Sequence, residues 1–130
     1  MIRYPDESSF LSALIKLIDI NYYPETVEVY DKNSKGAKDG YFYLEDPKLV
    51  LETINYKKIF ELYDKDEPFI IRMKKIDSKD SIVLAFNSCL KKYGLMYMAW
   101  YYNSQGKLTK ITRVDINGKT KEEVNIKANI

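Results

Sequence analysis

The sequence predicts one α+β domain over residues 1–130, with a single antiparallel sheet of about six strands and two to three helices packed on one face. An amphipathic helical pattern opens the chain, short alternating segments follow, and a three-stranded meander closes it. A hydrophobic fraction of 45% and a charged fraction of 31% exclude a disordered or fibrous chain. A chain of 130 residues can bury one core of useful size.

The first element is predicted to be an amphipathic helix over Asp6–Asp19. Pro5 and Glu7 suit its start, because proline is favoured in the first turn and acidic groups stabilise the positive end of the helix dipole. The segment Tyr22–Pro24 is expected to end the helix. Its apolar stripe consists of Phe10, Leu14, Leu17 and Ile18.

A first hairpin is predicted from two alternating segments, Thr26–Lys32 and Tyr41–Glu45. The polar loop 33–40 between them is expected to form a long tip. Alternation places every second side chain of each segment on the core side of the sheet. These core-facing side chains would be Val27, Val29, Phe42 and Leu44.

The next region is predicted to contain a helix that is broken near Asn55, followed by a strand over Phe69–Ile76. Asp46 and Pro47 form a good helix opening, since a capping side chain precedes a proline at the first helical position. The apolar periodicity then loses phase near Asn55 and starts again. The two successive stripes are Val50, Leu51 and Ile54, then Tyr56, Ile59, Phe60 and Tyr63.

A further helix is predicted from Asp77 or Ser78 to Tyr93, with a strand over Ser81–Phe86 as the alternative. Helical spacing of apolar residues and the ending Lys91–Gly94 favour the helix, because basic residues followed by glycine are typical of a helix C-terminus. The β-branched start of the alternative segment favours the strand. The helix is preferred because of its ending.

The last third is predicted to be a meander of three strands, beginning with Leu95–Asn103 and Leu108–Ile116. Asn117-Gly118 is a strong hairpin signal, because both residues tolerate the positive φ of a type I′ turn. The final strand, which alternates as far as Ala128, is expected to be a half-exposed edge. Folding around this turn pairs Arg113 with Glu122 and Ile111 with Val124.

The chain lacks histidine and has one cysteine, which removes the usual metal sites, histidine-based catalysis and any internal disulfide. Cys89 is expected to be a small buried residue, and the acidic cluster 64–67 a solvated helix ending. The motif 77–79 is too short to indicate a nuclease, and the glycines of 36–40 lack the ending of a phosphate-binding loop. We therefore expect no enzymatic activity, no cofactor and no metal.

The N-terminal segment does not have the pattern of a signal peptide, because Asp6 and Glu7 precede its apolar stretch and Lys16 and Asp19 interrupt it. No segment has the roughly 18–20 uninterrupted apolar residues that cross a bilayer. A lone thiol is typical of reducing compartments. We expect a cytoplasmic protein without membrane association, and the excess of Lys over Arg is typical of an A/T-rich genome.

The first candidate surface is a tyrosine patch on the first hairpin. If the valines of the hairpin face the core, its tyrosines lie on the opposite side among acidic residues. Tyrosine is enriched at protein-binding hot spots, because it offers a large contact area with few rotatable bonds. Coverage of this side by a helix of the same chain is an equally good interpretation. The patch consists of Glu28, Tyr30, Tyr41, Tyr43 and Glu45.

The second candidate surface is basic and aromatic. Residues 1–65 contain 9 basic and 12 acidic groups, whereas residues 66–130 contain 12 basic and 7 acidic groups. Cations that alternate with aromatic rings are what single-stranded nucleic acids bind, although the scarcity of arginine disfavours base-specific readout. The residues in question are Arg72, Lys74, Lys75, Tyr97, Trp100, Tyr102, Lys107, Lys110 and Arg113.

Size, composition and the excluded chemistries favour a non-enzymatic protein that binds and inhibits or neutralises a protein partner, as viral, mobile-element or immunity proteins do. The first alternative is an accessory protein that binds nucleic acid through residues 68–113. A second alternative is a cone of the NTF2-like type that binds a ligand or forms a homodimer, and only fold analogy supports it.

Overall fold

A computed structural model describes residues 6–30, 49–51 and 55–126. The predicted strand Tyr41–Glu45, the loop 33–40 and the helix opening at Asp46 and Pro47 lie outside these residues. The described helices are α1 (Glu7–Asp19), α2 (Tyr56–Asp64) and α3 (Ser88–Lys92). The described strands are β1 (Tyr22–Val29), β2 (Leu49–Leu51), β3 (Phe69–Lys75), β4 (Ser81–Phe86), β5 (Leu95–Tyr102), β6 (Leu108–Asp115) and β7 (Thr120–Asn125).

All described strands belong to one antiparallel sheet in the order β2-β1-β3-β4-β5-β6-β7. From β3 to β7 each strand lies beside the next one in the chain, so the C-terminal meander is confirmed and extends further than predicted. Six longer strands and the three-residue β2, together with helices packed on the sheet, confirm the α+β class.

The first helix forms where it was predicted. Asp6 is the N-cap of α1, and its Oδ1 accepts a hydrogen bond of 2.8 Å from the backbone N–H of Ser9. This bond stabilises the charged carboxylate and holds the pKa of Asp6 below its ordinary value. Phe10, Leu14 and Leu17 are buried against the sheet, as the helical spacing indicates.

The first strand begins earlier than predicted. Tyr22–Pro24 belongs to β1 rather than to the end of the helix, because the turn is completed at Asn21, which has a positive φ of 72°. Pro24 is accepted in the strand at a bulge between Pro24 and Thr26, in a part of β1 for which β3 is the one partner among the described residues. The prediction that Val27 and Val29 face the core is confirmed.

The broken helix was only partly correct. Leu49–Leu51 is a strand paired with Val27–Val29, so the helical periodicity assigned to Val50 and Leu51 was wrong. Three apolar residues fit a short strand as well as a helical turn, and pairing with β1 decides between them. The second half is confirmed, since α2 begins after the N-cap Asn55, whose side chain accepts from Lys57 N and Lys58 N.

The preferred helix from Asp77 or Ser78 to Tyr93 was wrong, and the alternative strand Ser81–Phe86 is present as β4. β4 lies between β3 and β5, so the apolar run from Ile82 to Phe86 is buried on both faces, as expected for a central strand. The ending Lys91–Gly94 does terminate a helix, but this helix is α3, with five residues.

The β5–β6 and β6–β7 hairpins have the same turn. In each, an Asn or Asp accepts two backbone hydrogen bonds from the residues two and four positions later, and a glycine with positive φ completes the turn. These glycines are Gly106 and Gly118. Asn117 lacks the positive φ of a type I′ turn, so that turn type was wrong, whereas the predicted pairs of Arg113 with Glu122 and Ile111 with Val124 are confirmed.

The sheet has two different faces. The helix face contacts α1 and α2 and forms the main core with Ile71, Leu84 and Ala99. We call the other side the open face. Its strands β1, β3 and β4 form a smaller buried cluster of Tyr30, Ile70, Val83 and Ala85, with Trp100 and Tyr102 packed against it.

A candidate binding groove on the open face

The open face contains a groove of about 840 Å³ over strands β5 to β7. Strands β5 and β6 supply its floor, α3 forms one side and β7 the other. Its volume lies within the range of clefts that bind small molecules or anchor side chains of a protein partner. The residues that line it are Cys89, Leu90, Tyr93, Leu95, Met98, Trp100, Ile111, Arg113, Lys121 and Glu122.

Strand alternation and a short helix produce this groove. Met98 and Trp100 alternate with core residues on β5, and Trp100 pairs with Ile111 on β6, so these apolar side chains share the open face. Gly94, with a φ of 73°, ends α3 immediately before β5. Tyr93 therefore stands at the edge of the groove with 71% of its surface exposed.

Lys91 and Asn87 anchor the helical side of the groove. The Lys91 side chain is 2% exposed, and its Nζ donates to Asp66 Oδ1 at 2.6 Å and to the backbone oxygen of Tyr63. The same ammonium lies 4.1 Å from the centre of the Tyr63 ring. Asn87 caps α3 through a 2.8 Å bond from Leu90 N to its Oδ1. These contacts fix α3 to the end of α2.

The groove contains one ion pair and one further cation. Arg113 Nη1 donates to Glu122 Oε2 across the β6–β7 pair, which neutralises both charges. Lys121 also lines the groove, and no ion pair involves it among residues 6–30, 49–51 and 55–126. The groove is therefore apolar at its floor and weakly positive along the side formed by β7.

The predicted tyrosine patch is represented by Tyr30 and Glu28 alone, since Tyr41, Tyr43 and Glu45 lie outside the described residues. Tyr30 and Glu28 do lie on the open side of β1, as alternation predicts. However, Tyr30 is 3% exposed, and the Glu28 side chain is 14% exposed and pairs with Arg72 at 2.7 Å. These two residues contribute little accessible surface.

The residues of the predicted nucleic-acid surface are divided between the two faces of the sheet. Tyr97 is 5% exposed in the main core, and its burial holds the pKa of its hydroxyl far above the ordinary value. Lys75 lies beside the Tyr22 ring on the helix face. Lys110 contacts the Tyr101 ring and pairs with Glu123 on that face as well.

The remaining members lie on the open face or in a turn. Arg72, Lys74, Trp100, Tyr102 and Arg113 share the open face by strand alternation, whereas Lys107 lies in the exposed β5–β6 turn. Both arginines are engaged in ion pairs with glutamates of neighbouring strands. The structure therefore does not assemble the nine residues into one continuous basic surface.

Cys89 is partly exposed in the wall of the groove rather than buried, because α3 has only five residues and does not enclose it. The acidic cluster does follow the end of α2, as predicted, but Asp66 binds the buried Lys91 instead of being fully solvated. Within the described parts of the chain, no three Asp, Glu or Cys residues lie close enough together to hold a metal ion.

Sequence reasoning identified Trp100 and Arg113 but missed Tyr93, Met98 and Lys121. The sequence places Tyr93 in a helix ending, and neither candidate surface includes Met98 or Lys121. The predicted pairing of Arg113 with Glu122, which the structure confirms, places β7 beside β6 and was the sequence signal from which Lys121 could have been assigned to the same site.

None of the helices in the described ranges is long and apolar enough to cross a membrane. Comparisons with protein-family models, curated proteins and solved structures give no significant match to this chain.

Proposed function

We propose that this is a small cytoplasmic, non-enzymatic protein that binds a protein partner through the open-face groove and thereby inhibits or neutralises it. The observation that carries the proposal is the groove itself, with Trp100 and Met98 in its floor and Tyr93 exposed at its edge. Trp, Tyr and Met are enriched at the centres of protein interfaces. This location replaces the first hairpin as the proposed binding surface.

The apolar area extends beyond the groove on the same face. Val124 pairs with Ile111 and is 45% exposed, and Ile126 is 40% exposed. Contiguous exposed apolar surface is destabilising in water unless it is covered in a complex, so its presence favours an interaction site. The Arg113–Glu122 ion pair, with both side chains partly exposed, adds polar groups to the rim of this apolar surface.

The proposal is tested by alanine substitution of an exposed residue at the groove, with an equally exposed residue away from the groove as the control. Tyr93 is 71% exposed at the groove and Ile76 is 70% exposed at the end of β3, so neither substitution by alanine creates a cavity in the core. A partner captured by the wild-type protein and purified should bind Tyr93→Ala about tenfold more weakly and Ile76→Ala with unchanged affinity. Equal affinity of all three proteins would contradict the proposal.

The nucleic-acid alternative is tested by titrating single-stranded and duplex oligonucleotides at low salt. Arg72, Arg113 and Lys110 are paired with carboxylates. We therefore expect no oligonucleotide binding of the electrostatic kind, whose affinity decreases steeply as the salt concentration rises. Steeply salt-dependent binding that is lost on substitution of Lys74 and Lys107 would support the alternative instead.

A further inference from the structure

Strand β7 has one described neighbour, β6, and its other edge faces away from the sheet. All residues from Thr120 to Ile126 are exposed, and they form a strand of ordinary length without proline. The backbone N–H of Ile126 donates to Thr109 O at 2.8 Å, so it points toward β6. Because successive residues of a strand alternate in direction, the N–H groups of Glu123 and Asn125 point to the free edge.

This edge adjoins the groove. Val124 and Ile126 lie on the open face beside Ile111, because they pair with Ile111 and Thr109 on β6. An extended segment that paired with the edge would place every second side chain on the open face, next to Val124 and Ile126. Main-chain hydrogen bonds and apolar contacts would then act together, as they do when a peptide adds a strand to a sheet.

The charge of the edge indicates the chemistry of such a segment. Both carboxylates of β7 are occupied by cations of β6, since Glu122 pairs with Arg113 and Glu123 lies 3.7 Å from Lys110. Lys121 and the adjacent Lys119 form no ion pair within the described ranges, so the edge has an excess of positive charge. Acidic side chains are complementary to it, whereas a second copy of β7 would bring the same positive charge.

We propose that β7 accepts an extended segment of the protein partner as an additional strand, and that the side chains which this segment places on the open face are apolar beside Val124 and Ile126 and acidic beside Lys121. Because every second residue of a strand shares one face, the apolar and acidic side chains of the segment occupy successive open-face positions, the apolar ones beside Val124 and Ile126 and the acidic one beside Lys121 at the other end of β7. The proposal rests on the proposed function, because it specifies how the partner reaches the groove.

The probe is a synthetic peptide of about ten residues whose open-face positions are Val in one half and Glu in the other, with Thr at the positions between them, and the control peptide has Lys in place of Glu. Trp100 is the only tryptophan of the chain and lies in the groove, so its fluorescence reports binding without a label. We expect the acidic peptide to bind about tenfold more tightly at low salt. We also expect it to slow amide hydrogen exchange at Glu123 and Asn125, whose N–H groups face the free edge.

Two variants test the contacts separately. Glu123→Pro removes an outward N–H while leaving the bonds to β6, and should weaken the acidic peptide about tenfold. Lys121→Glu should weaken the acidic peptide and strengthen the basic one, whereas Lys79→Glu makes the same charge change in the β3–β4 turn and should affect neither. The charge exchange keeps the test valid if the proline variant is less stable.

Absence of peptide binding, or binding that leaves the β7 amides unprotected, would overturn the proposal. Protection of these amides in a dimer of the free protein would also overturn it, in favour of a second copy. A natural partner that is sensitive to Tyr93→Ala but insensitive to Glu123→Pro would leave the proposed function intact and reject strand addition. Insensitivity to Tyr93→Ala would reject the proposed function itself.

Discussion

The buried ammonium of Lys91 gives a prediction in which the smaller chemical change has the larger effect. Asp66→Asn removes one charge from the pair and keeps an oxygen that can accept from Lys91 Nζ. Asn also tolerates the left-handed backbone of this position, where φ is 61°. Lys91→Met removes the ammonium together with its bonds to Asp66 and Tyr63, and fills the same space with an apolar chain.

The magnitudes follow from what each change leaves behind. Breaking a buried pair by removing one partner costs about 3–5 kcal/mol. The Asp66 side chain is 45% exposed, so water compensates part of its loss and we expect about 2 kcal/mol for Asp66→Asn. After Lys91→Met, Asp66 is solvated and Tyr63 O keeps a 3.2 Å bond from Asp66 N, so we expect about 1 kcal/mol or less.

Urea denaturation, followed by Trp100 fluorescence and by circular dichroism, measures the free energy of unfolding of both variants and of the double variant. With Met at position 91 the Asp66→Asn change should cost almost nothing, so the double variant should be no less stable than Asp66→Asn alone. If Lys91→Met is more destabilising than Asp66→Asn, or if the two effects add, the reasoning from uncompensated buried charge is refuted.

Three further predictions concern the sheet. Gly118→Ala should lower the free energy of unfolding by about 1–2 kcal/mol, because its φ of 80° strains an L-residue. Gly106→Ala, at a φ of 76°, should lower it by the same amount in thermal unfolding, since an added Cβ meets no clash at either glycine. The Arg113–Glu122 coupling energy in a double-mutant cycle should be only about 0.5 kcal/mol, because both side chains are about half exposed; a value several times larger would contradict this. The free energy of unfolding should decrease as the pH rises above 10, because tyrosines ionise there in the unfolded chain while burial keeps Tyr97 protonated in the folded one. Tyr97→Phe should make this decrease smaller when unfolding is measured at a series of fixed pH values.

The elements that could be predicted from sequence are those whose signals are local. The cap at Asp6, the apolar spacing of α1 and the Asn117-Gly118 turn each act within a few residues, and the structure confirms the helix, the hairpin and its register. The segment Ser81–Phe86 was assigned wrongly because a strand buried on both faces has no alternation to distinguish it from a buried helix. Its pairing with β3 and β5, the strands before and after it in the chain, decides its conformation, and the local apolar pattern does not reveal this pairing.

The residues of the candidate site were harder to predict from sequence than the fold, because their exposure and charge depend on which strands become neighbours. Tyr97 and Trp100 are close in sequence and were assigned to one surface, yet one residue is in the main core and the other is in the groove. The charges of Arg72 and Arg113 were counted as available, but cross-strand partners neutralise them. A charge count along the chain does not include such pairs, so it overstates the charge that Arg72 and Arg113 leave for a nucleic acid.

The composition of the open face is better explained by binding than by stability. On the helix face of β6, Val114 is buried in the core and stabilises the fold. On the open face, Ile111 and Val124 stay partly exposed, so their burial contributes little to the free energy of folding. Threonine or lysine at these two positions would keep the strand conformation and remove the apolar surface. The chain instead places apolar side chains between Trp100 and the outer edge of β7, which no described strand covers and whose carboxylates are already paired. Replacement of Val124 by Thr should therefore change the free energy of unfolding by less than about 0.5 kcal/mol and weaken partner binding, a combination that a purely structural role would not give.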